Sequence, residues 1–114
     1  MDWKALESEE QLNQLEDESG VHPVLIFKHS TRCSISSTAL NRIRQAGHGD
    51  LGADTVVYVL DLLAHRDISN MIASRYGIWH ESPQAILLLH GKPVFNASHL
   101  SIIPSEIRQA AQAV

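Results

Sequence analysis

The residue best suited to chemistry is Cys33, the single cysteine of the 114-residue chain. It follows the apolar run Val24–Lys28 and precedes a stretch of helical periodicity, so we expect it to open a helix directly after a buried strand. Backbone N–H groups and the helix dipole favour a thiolate there, and Arg32 and Lys28 add positive charge. Because the thiolate is the nucleophile of thiol–disulfide exchange, the sequence predicts a reactive cysteine rather than an inert buried one.

The motif that begins at Cys33 ends in Ser36, so its pattern is C-x-x-S and not C-x-x-C. In a dithiol motif the second cysteine attacks the mixed disulfide from the next helical turn, which a serine cannot do. We expect the Ser36 hydroxyl to hydrogen-bond the Cys33 thiolate and an outside thiol to release Cys33. The alternative is that Ser36 is only a polar residue of the first helical turn.

A second candidate site element is the pair Ser82 and Pro83, which comes directly before another apolar run. We predict a cis bond between them that turns the Ser82 backbone toward Cys33. A thiol that contains amides can then add to this backbone like a short strand. An ordinary trans proline at the start of a strand is the alternative.

Histidine, tryptophan and tyrosine residues also lie around these elements. Seven histidines are scattered without a metal-binding spacing, so we expect no metal site. His29 is the exception of interest, because it lies four residues before Cys33 and could tune or deprotonate the thiol. Trp79 and Tyr76 are expected to close the core beneath the Ser82–Pro83 turn rather than to stack on a cofactor.

The elements that position these residues follow the order α-β-α-β-α-β-β-α. Strands separated by a helix favour parallel pairing, whereas the short turn at 90–92 makes the last pair antiparallel. The order is similar to the thioredoxin-like fold: one α/β domain over 1–114, with a mixed four-stranded sheet flanked by helices and an extra N-terminal helix. Gly47 and Gly49 are expected to end the second helix. Helices are predicted over 8–18, 35–46, 67–76 and from 104 onward, and strands over 24–28, 55–60, 85–89 and 93–96.

Composition and charge exclude several classes of function. The net charge of −4 is concentrated in residues 1–18, which hold seven acidic residues and one lysine. The remainder is only mildly basic and has no basic stripe with interleaved aromatic residues, which argues against nucleic-acid binding. No apolar run approaches the roughly 20 residues of a membrane span. The acidic N-terminus and the single cysteine lead us to expect a cytoplasmic protein.

The stretch FKHSTRCSISS at 27–37, with Ser82-Pro83-Gln84 and the turn at 90–92, resembles the YtxJ-like monothiol bacilliredoxins of the bacillithiol system. The similarity extends over nearly the whole chain. It implies a thioredoxin-like fold and an oxidoreductase that removes bacillithiol, a cysteinyl-glucosaminyl-malate thiol, from proteins in bacterial redox homeostasis. In that family's pattern Cys33 is the attacking thiol and Ser82–Pro83 is the cis-proline turn.

The leading hypothesis is therefore a monothiol thiol–disulfide oxidoreductase that acts on S-thiolated proteins. We expect a monomer without a resident cofactor, a low-molecular-weight thiol as co-substrate, and no nucleic-acid or membrane partner. Two alternatives remain: a non-catalytic scaffold that only accepts the adduct, and a dimeric iron–sulfur carrier of the monothiol glutaredoxin type. The candidate site comprises Cys33 as nucleophile, Arg32 and Ser36 as thiolate-stabilising residues, and Lys28, Ser34, Ser82 and Pro83 as ligand-binding residues.

Overall fold

The computed structural model of the protein describes residues 3–52 and 54–112, with side chains for all of these except 47–50. Helices and strands alternate along the chain up to a final β-hairpin, which is followed by a short 3₁₀ turn at His99–Ser101 and a last helix. The strands are β1 (Trp3–Ala5), β2 (Val24–His29), β3 (Val56–Asp61), β4 (Gln84–Leu89) and β5 (Lys92–Ser98), and the helices are α1 (Glu9–Glu18), α2 (Ser34–Leu51), α3 (Arg66–Tyr76) and α4 (Pro104–Gln112).

The strands form one mixed sheet in the order β1-β3-β2-β4-β5. β3 pairs in parallel with both β1 and β2, whereas β4 runs antiparallel to β2 and to β5. The apolar residues of β2 and β4 are buried, as expected for central strands covered by helices on both faces. The predicted α/β class with a mixed sheet and an N-terminal helix is confirmed, but the sheet formed by the described residues has five strands and not four.

The strand missed by the sequence interpretation is β1, at the edge of the sheet. Its residues pair with 57–59 of β3, and the N–H of Leu6 then donates to the carbonyl of Val59 at 2.9 Å. Helix α1 begins only at Glu9, because Ser8 caps it by accepting a hydrogen bond from the Gln11 N–H at 3.2 Å. Trp3 therefore belongs to a strand and Leu6 to its exit, while α1 agrees with the helix predicted over 8–18.

Helix α2 continues past Gly47 and Gly49, where it was expected to end. It runs to Leu51, and Gly52 ends it with a φ of +99°. An interior glycine destabilises a helix by about 1 kcal/mol relative to alanine, whereas full burial of a leucine contributes about 1.5–3 kcal/mol. Leu51 has no exposed surface, so its burial favours the extra turn. No helix in the described ranges is long and apolar enough to cross a membrane.

The two faces of the sheet carry separate apolar clusters. Ile26 of β2 packs with residues of α1 and α3, whereas its neighbour Phe27 packs with residues of α2 and α4. Successive side chains of a strand point to opposite faces. The next two residues of β2 therefore separate as well, with Lys28 on the α1–α3 face and His29 on the α2–α4 face.

Candidate active site

Cys33 lies at the N-cap of α2, in the loop that leaves β2. Its backbone is extended, its carbonyl accepts the Ser37 N–H at 3.1 Å, and its N–H donates to the Ser30 carbonyl at 3.1 Å. The residue is partly exposed, its side chain makes no capping hydrogen bond, and the first turn of α2 contains no acidic residue. The predicted position is confirmed, and a thiolate there would face helix N–H groups that have no carbonyl partner.

The Ser36 hydroxyl holds the Cys33 loop and does not bond to the thiol. Ser36 is fully buried; its Oγ accepts the Ser30 N–H at 3.0 Å and lies 2.6 Å from Nδ1 of His29. Within the described residues, no hydrogen bond joins Ser36 to Cys33. The prediction that this hydroxyl stabilises the thiolate directly is therefore wrong for this structure, because its partners are at the end of β2.

His29 acts on the site through Ser36. Burial lowers the pKa of its imidazole below the ordinary value, nearby Arg44 lowers it further, and Asp61, its register partner on β3, partly opposes both. The ring is therefore neutral near pH 7, and its Nδ1 is engaged with Ser36. The described contacts give His29 a role in fixing the loop and provide no direct path for it to take the thiol proton.

The prediction that Lys28 binds the ligand is wrong for this structure, because its side chain has no exposed surface. Its Nζ donates to the Ser69 carbonyl of α3 at 3.2 Å and lies 3.3 Å from Nδ1 of His80. Burial lowers the pKa of the Lys28 ammonium to about 8. Arg32 and Ser34 are exposed and so remain available to a ligand at the helix start.

The bond between Ser82 and Pro83 is cis, as predicted. Gln84, the next residue, is the register partner of Lys28, so the turn lies at the same end of the sheet as the Cys33 loop. Pro83 is buried, and its carbonyl accepts the His99 N–H at 3.0 Å. The Ser82 Oγ is buried and has no hydrogen-bond partner in the part of the chain that the structure describes.

The aromatic residues before this turn have different environments. Tyr76 packs against the α1–α3 cluster, and its hydroxyl donates to Glu16 at 3.0 Å. Trp79 is 91% exposed, so the expectation that it closes the core is wrong. Its carbonyl is held by Gln84, which leaves the indole outside. Ile35, two residues after Cys33, is also exposed. Residues 77–81 have no apolar periodicity, so the sequence does not indicate whether Trp79 is buried or exposed.

The side chains that the structure describes, which leave out those of 47–50, form no cluster suited to a metal ion. No three histidine, cysteine, aspartate or glutamate side chains among them converge as a resident metal site requires.

Comparisons with known proteins agree with this geometry. A family model described as monothiol bacilliredoxin BrxC matches residues 4–107. A solved structure described as a candidate oxidoreductase with a thioredoxin fold is 32% identical, covers 95% of this chain and 92% of its own, and has a TM-score of 0.83.

Two thioredoxins are similar in fold at low identity. The protein from Malassezia sympodialis is 15% identical, with a TM-score of 0.75 and coverage of 98% of this chain and 90% of that one. A thioredoxin variant from Halobacterium salinarum is 16% identical, with a TM-score of 0.69 and coverage of 98% and 89%. These matches establish the thioredoxin fold.

Proposed function

Because the chain belongs to the monothiol bacilliredoxin family, we propose that it removes a bacillithiol-type thiol from protein mixed disulfides through Cys33. The family and the fold make it a thiol redox protein of the thioredoxin-like oxidoreductase class. The proposal adds the substrate: a protein cysteine joined to a low-molecular-weight thiol.

The first step transfers the small thiol to Cys33. The Cys33 thiolate attacks the sulfur of the small thiol in the mixed disulfide, a new S–S bond forms, and the bond to the protein cysteine breaks. The protein leaves as a thiolate and takes a proton from solvent. The nucleophile sits at a helix start without a nearby acid in its first turn, which suits a group that reacts as an anion.

The second step needs a thiol from outside. A second low-molecular-weight thiolate attacks the small-thiol sulfur of the adduct, which gives the small-molecule disulfide and returns Cys33 as a thiolate. The observation that carries this proposal is the residue at position 36: a buried serine whose oxygen is engaged with Ser30 and His29. A serine cannot attack a disulfide, and the chain has no second cysteine that could do so.

Groups suited to hold the small thiol lie on both sides of Cys33. Arg32 and the Ser34 N–H at the helix start favour an anion such as the malate carboxylates. Across the sheet end, the Ser82 backbone before the cis bond to Pro83 offers polar partners to an amide. We propose that Arg32, Ser34, Ser82 and Pro83 form the ligand site. Lys28 supports this site from the buried side and does not touch the ligand.

The reaction also indicates its setting. Turnover consumes reduced small thiol, which a reducing cytoplasm supplies, and we propose that compartment. The two exchanges need no resident cofactor and only one copy of Cys33, so we propose a monomer that meets S-thiolated proteins transiently.

The test begins with intact-mass measurement after incubation with two protein mixed disulfides, one carrying bacillithiol and one carrying glutathione. We expect a Cys33 adduct of bacillithiol, little adduct of glutathione, and none in Cys33→Ser. Equal adducts of both thiols would contradict the proposed selectivity. Colour after anaerobic reconstitution with iron and sulfide, together with no adduct, would favour the cluster carrier instead.

A further inference from the structure

Lys28 is a buried cation that has no acidic partner among the described side chains. Its Nζ has two described contacts, the Ser69 carbonyl and His80 Nδ1, and it forms no ion pair within the described ranges. A buried ammonium is expensive to keep unless a carboxylate or several acceptors surround it. Lys28 lies on the face of the sheet that carries the apolar α1–α3 cluster. A buried ammonium with only these described contacts is a candidate for a role in function.

The contact with Lys28 defines the protonation of His80. A lysine ammonium has three donors and no acceptor, so Nδ1 of His80 must accept. The Ser69 hydroxyl lies 3.1 Å from the same nitrogen. His80 is therefore neutral with its proton on Nε2. Burial, Lys28 and Arg66 lower the pKa of His80, and Glu81 opposes them.

The same segment is anchored a second time from the neighbouring strand. Gln84, the register partner of Lys28, is buried; its Nε2 donates to the Trp79 carbonyl at 2.9 Å, and its Oε1 accepts the Glu81 N–H at 3.4 Å. Two buried polar side chains of adjacent strands thus hold residues 79–81. These residues have no regular secondary structure and lead directly into the Ser82–Pro83 turn.

We infer that Lys28 and His80 are a positioning pair, in which the buried ammonium holds the 79–82 segment so that Ser82 and Pro83 are presented to the substrate of Cys33. This inference deepens the proposed function and rests on it for the identity of the substrate. Protonation of His80 removes its acceptor and places a second cation against Lys28, so the segment loses this anchor and keeps only the one from Gln84. Thiol transfer should therefore lose efficiency in acid even after correction for the thiolate fraction of Cys33.

The test compares Lys28→Met, His80→Ala and His80→Asn with the wild type. The Asn amide oxygen takes the place of Nδ1 as an acceptor and does not titrate. Two rates are measured at each pH: transfer of the small thiol from a protein mixed disulfide, and alkylation of Cys33 by iodoacetamide. Dividing the first rate by the second removes the contribution of thiolate concentration.

We expect Lys28→Met and His80→Ala to lower the ratio roughly tenfold through a higher KM for the mixed disulfide, with alkylation changed less than about twofold. A variant that combines Lys28→Met with His80→Ala should lower the ratio no further than either single change, because the two residues act as one unit. His80→Asn should keep the wild-type ratio at neutral pH and should not lose it in acid. An unchanged ratio in Lys28→Met, or equal losses in His80→Asn and His80→Ala, would overturn the inference.

An NMR titration separates failure of this inference from failure of the proposed function. In Lys28→Met the midpoint of the His80 ring signals should rise, and amide hydrogen exchange at 79–82 should become faster. No rise and no faster exchange would refute the positioning pair whatever the activities. Both changes in a protein that transfers no thiol would refute the proposed substrate and leave the pair supported.

Discussion

Replacing Ser36 with alanine tests whether this serine holds the Cys33 loop. The change removes the acceptor of the Ser30 N–H and the partner of His29 Nδ1, both of which lie at the end of β2. A buried polar group left without a partner costs about 1–3 kcal/mol. The imidazole is partly exposed and can turn to water, so we expect the free energy of unfolding to fall by roughly 1–3 kcal/mol in total and not by twice that.

Ser37→Ala is the matched control. Ser37 is the next residue of α2 and is exposed, and its described bond to Cys33 uses only the backbone N–H. Both substitutions change helix propensity by a similar amount, so the difference between them isolates the hydrogen bonds of Ser36.

Urea denaturation measures the difference. With a slope of about 2 kcal/mol per M, the midpoint of Ser36→Ala should lie roughly 0.5–1.5 M below that of Ser37→Ala. Thiol transfer should also slow severalfold in Ser36→Ala, since the loop that carries the nucleophile is less constrained. Equal midpoints for the two variants would show that the serine does not hold the loop.

Four further predictions follow from burial and charge. Burial lowers the pKa of Lys28 from 10.5 to about 8, so the native state loses this proton before the unfolded chain does as pH rises. The free energy of unfolding of the wild type, measured by urea titration, should rise by about 2 kcal/mol from pH 8 to 9.5, and that of Lys28→Met should not. Burial lowers the pKa of His29 and His80 below 6.5, so the unfolded chain binds protons before the native state does as pH falls. The free energy of unfolding should therefore decrease below pH 6.5, less steeply in His80→Asn than in the wild type, and equal slopes for the two proteins would contradict this assignment. Trp79→Ala should change the free energy of unfolding by less than about 0.5 kcal/mol, and it should raise KM for a protein mixed disulfide but not for a small-molecule disulfide. An equal change in KM for both substrates would exclude a contact between Trp79 and the protein partner. Arg32→Ala should slow alkylation of Cys33 at pH 7 by up to about fivefold, as expected for an exposed charge worth at most about 1 kcal/mol, with Arg108→Ala as the control that leaves the rate unchanged.

Local patterns were sufficient for most of the fold. The continuous apolar runs of β2 and β4, the cap at Ser8 and the glycine after α3 each specify an element through neighbouring residues. β1 was missed because three residues carry too little periodicity. Its pairing partner, β3, lies more than fifty residues away, and no local pattern reports that contact.

The site was predictable where its chemistry is local. Cys33 at a helix start and the turn at Ser82–Pro83 follow from the order of residue types. Lys28 was assigned to the ligand because it is close to Cys33 in sequence, although strand alternation alone places it on the face opposite His29. Its partners Ser69 and His80 come from α3 and the following loop, so only the folded structure shows that the charge is internal.

The measurement that tests the account most directly is the number of protein thiols released per Cys33 over time. The protein is mixed with an excess of a bacillithiol-carrying protein mixed disulfide, with and without free bacillithiol. The account predicts one equivalent released without the free thiol and many equivalents with it, each accompanied by one small-molecule disulfide. Release that stops at one equivalent in the presence of free thiol would contradict a catalytic role and identify Cys33 as an acceptor only.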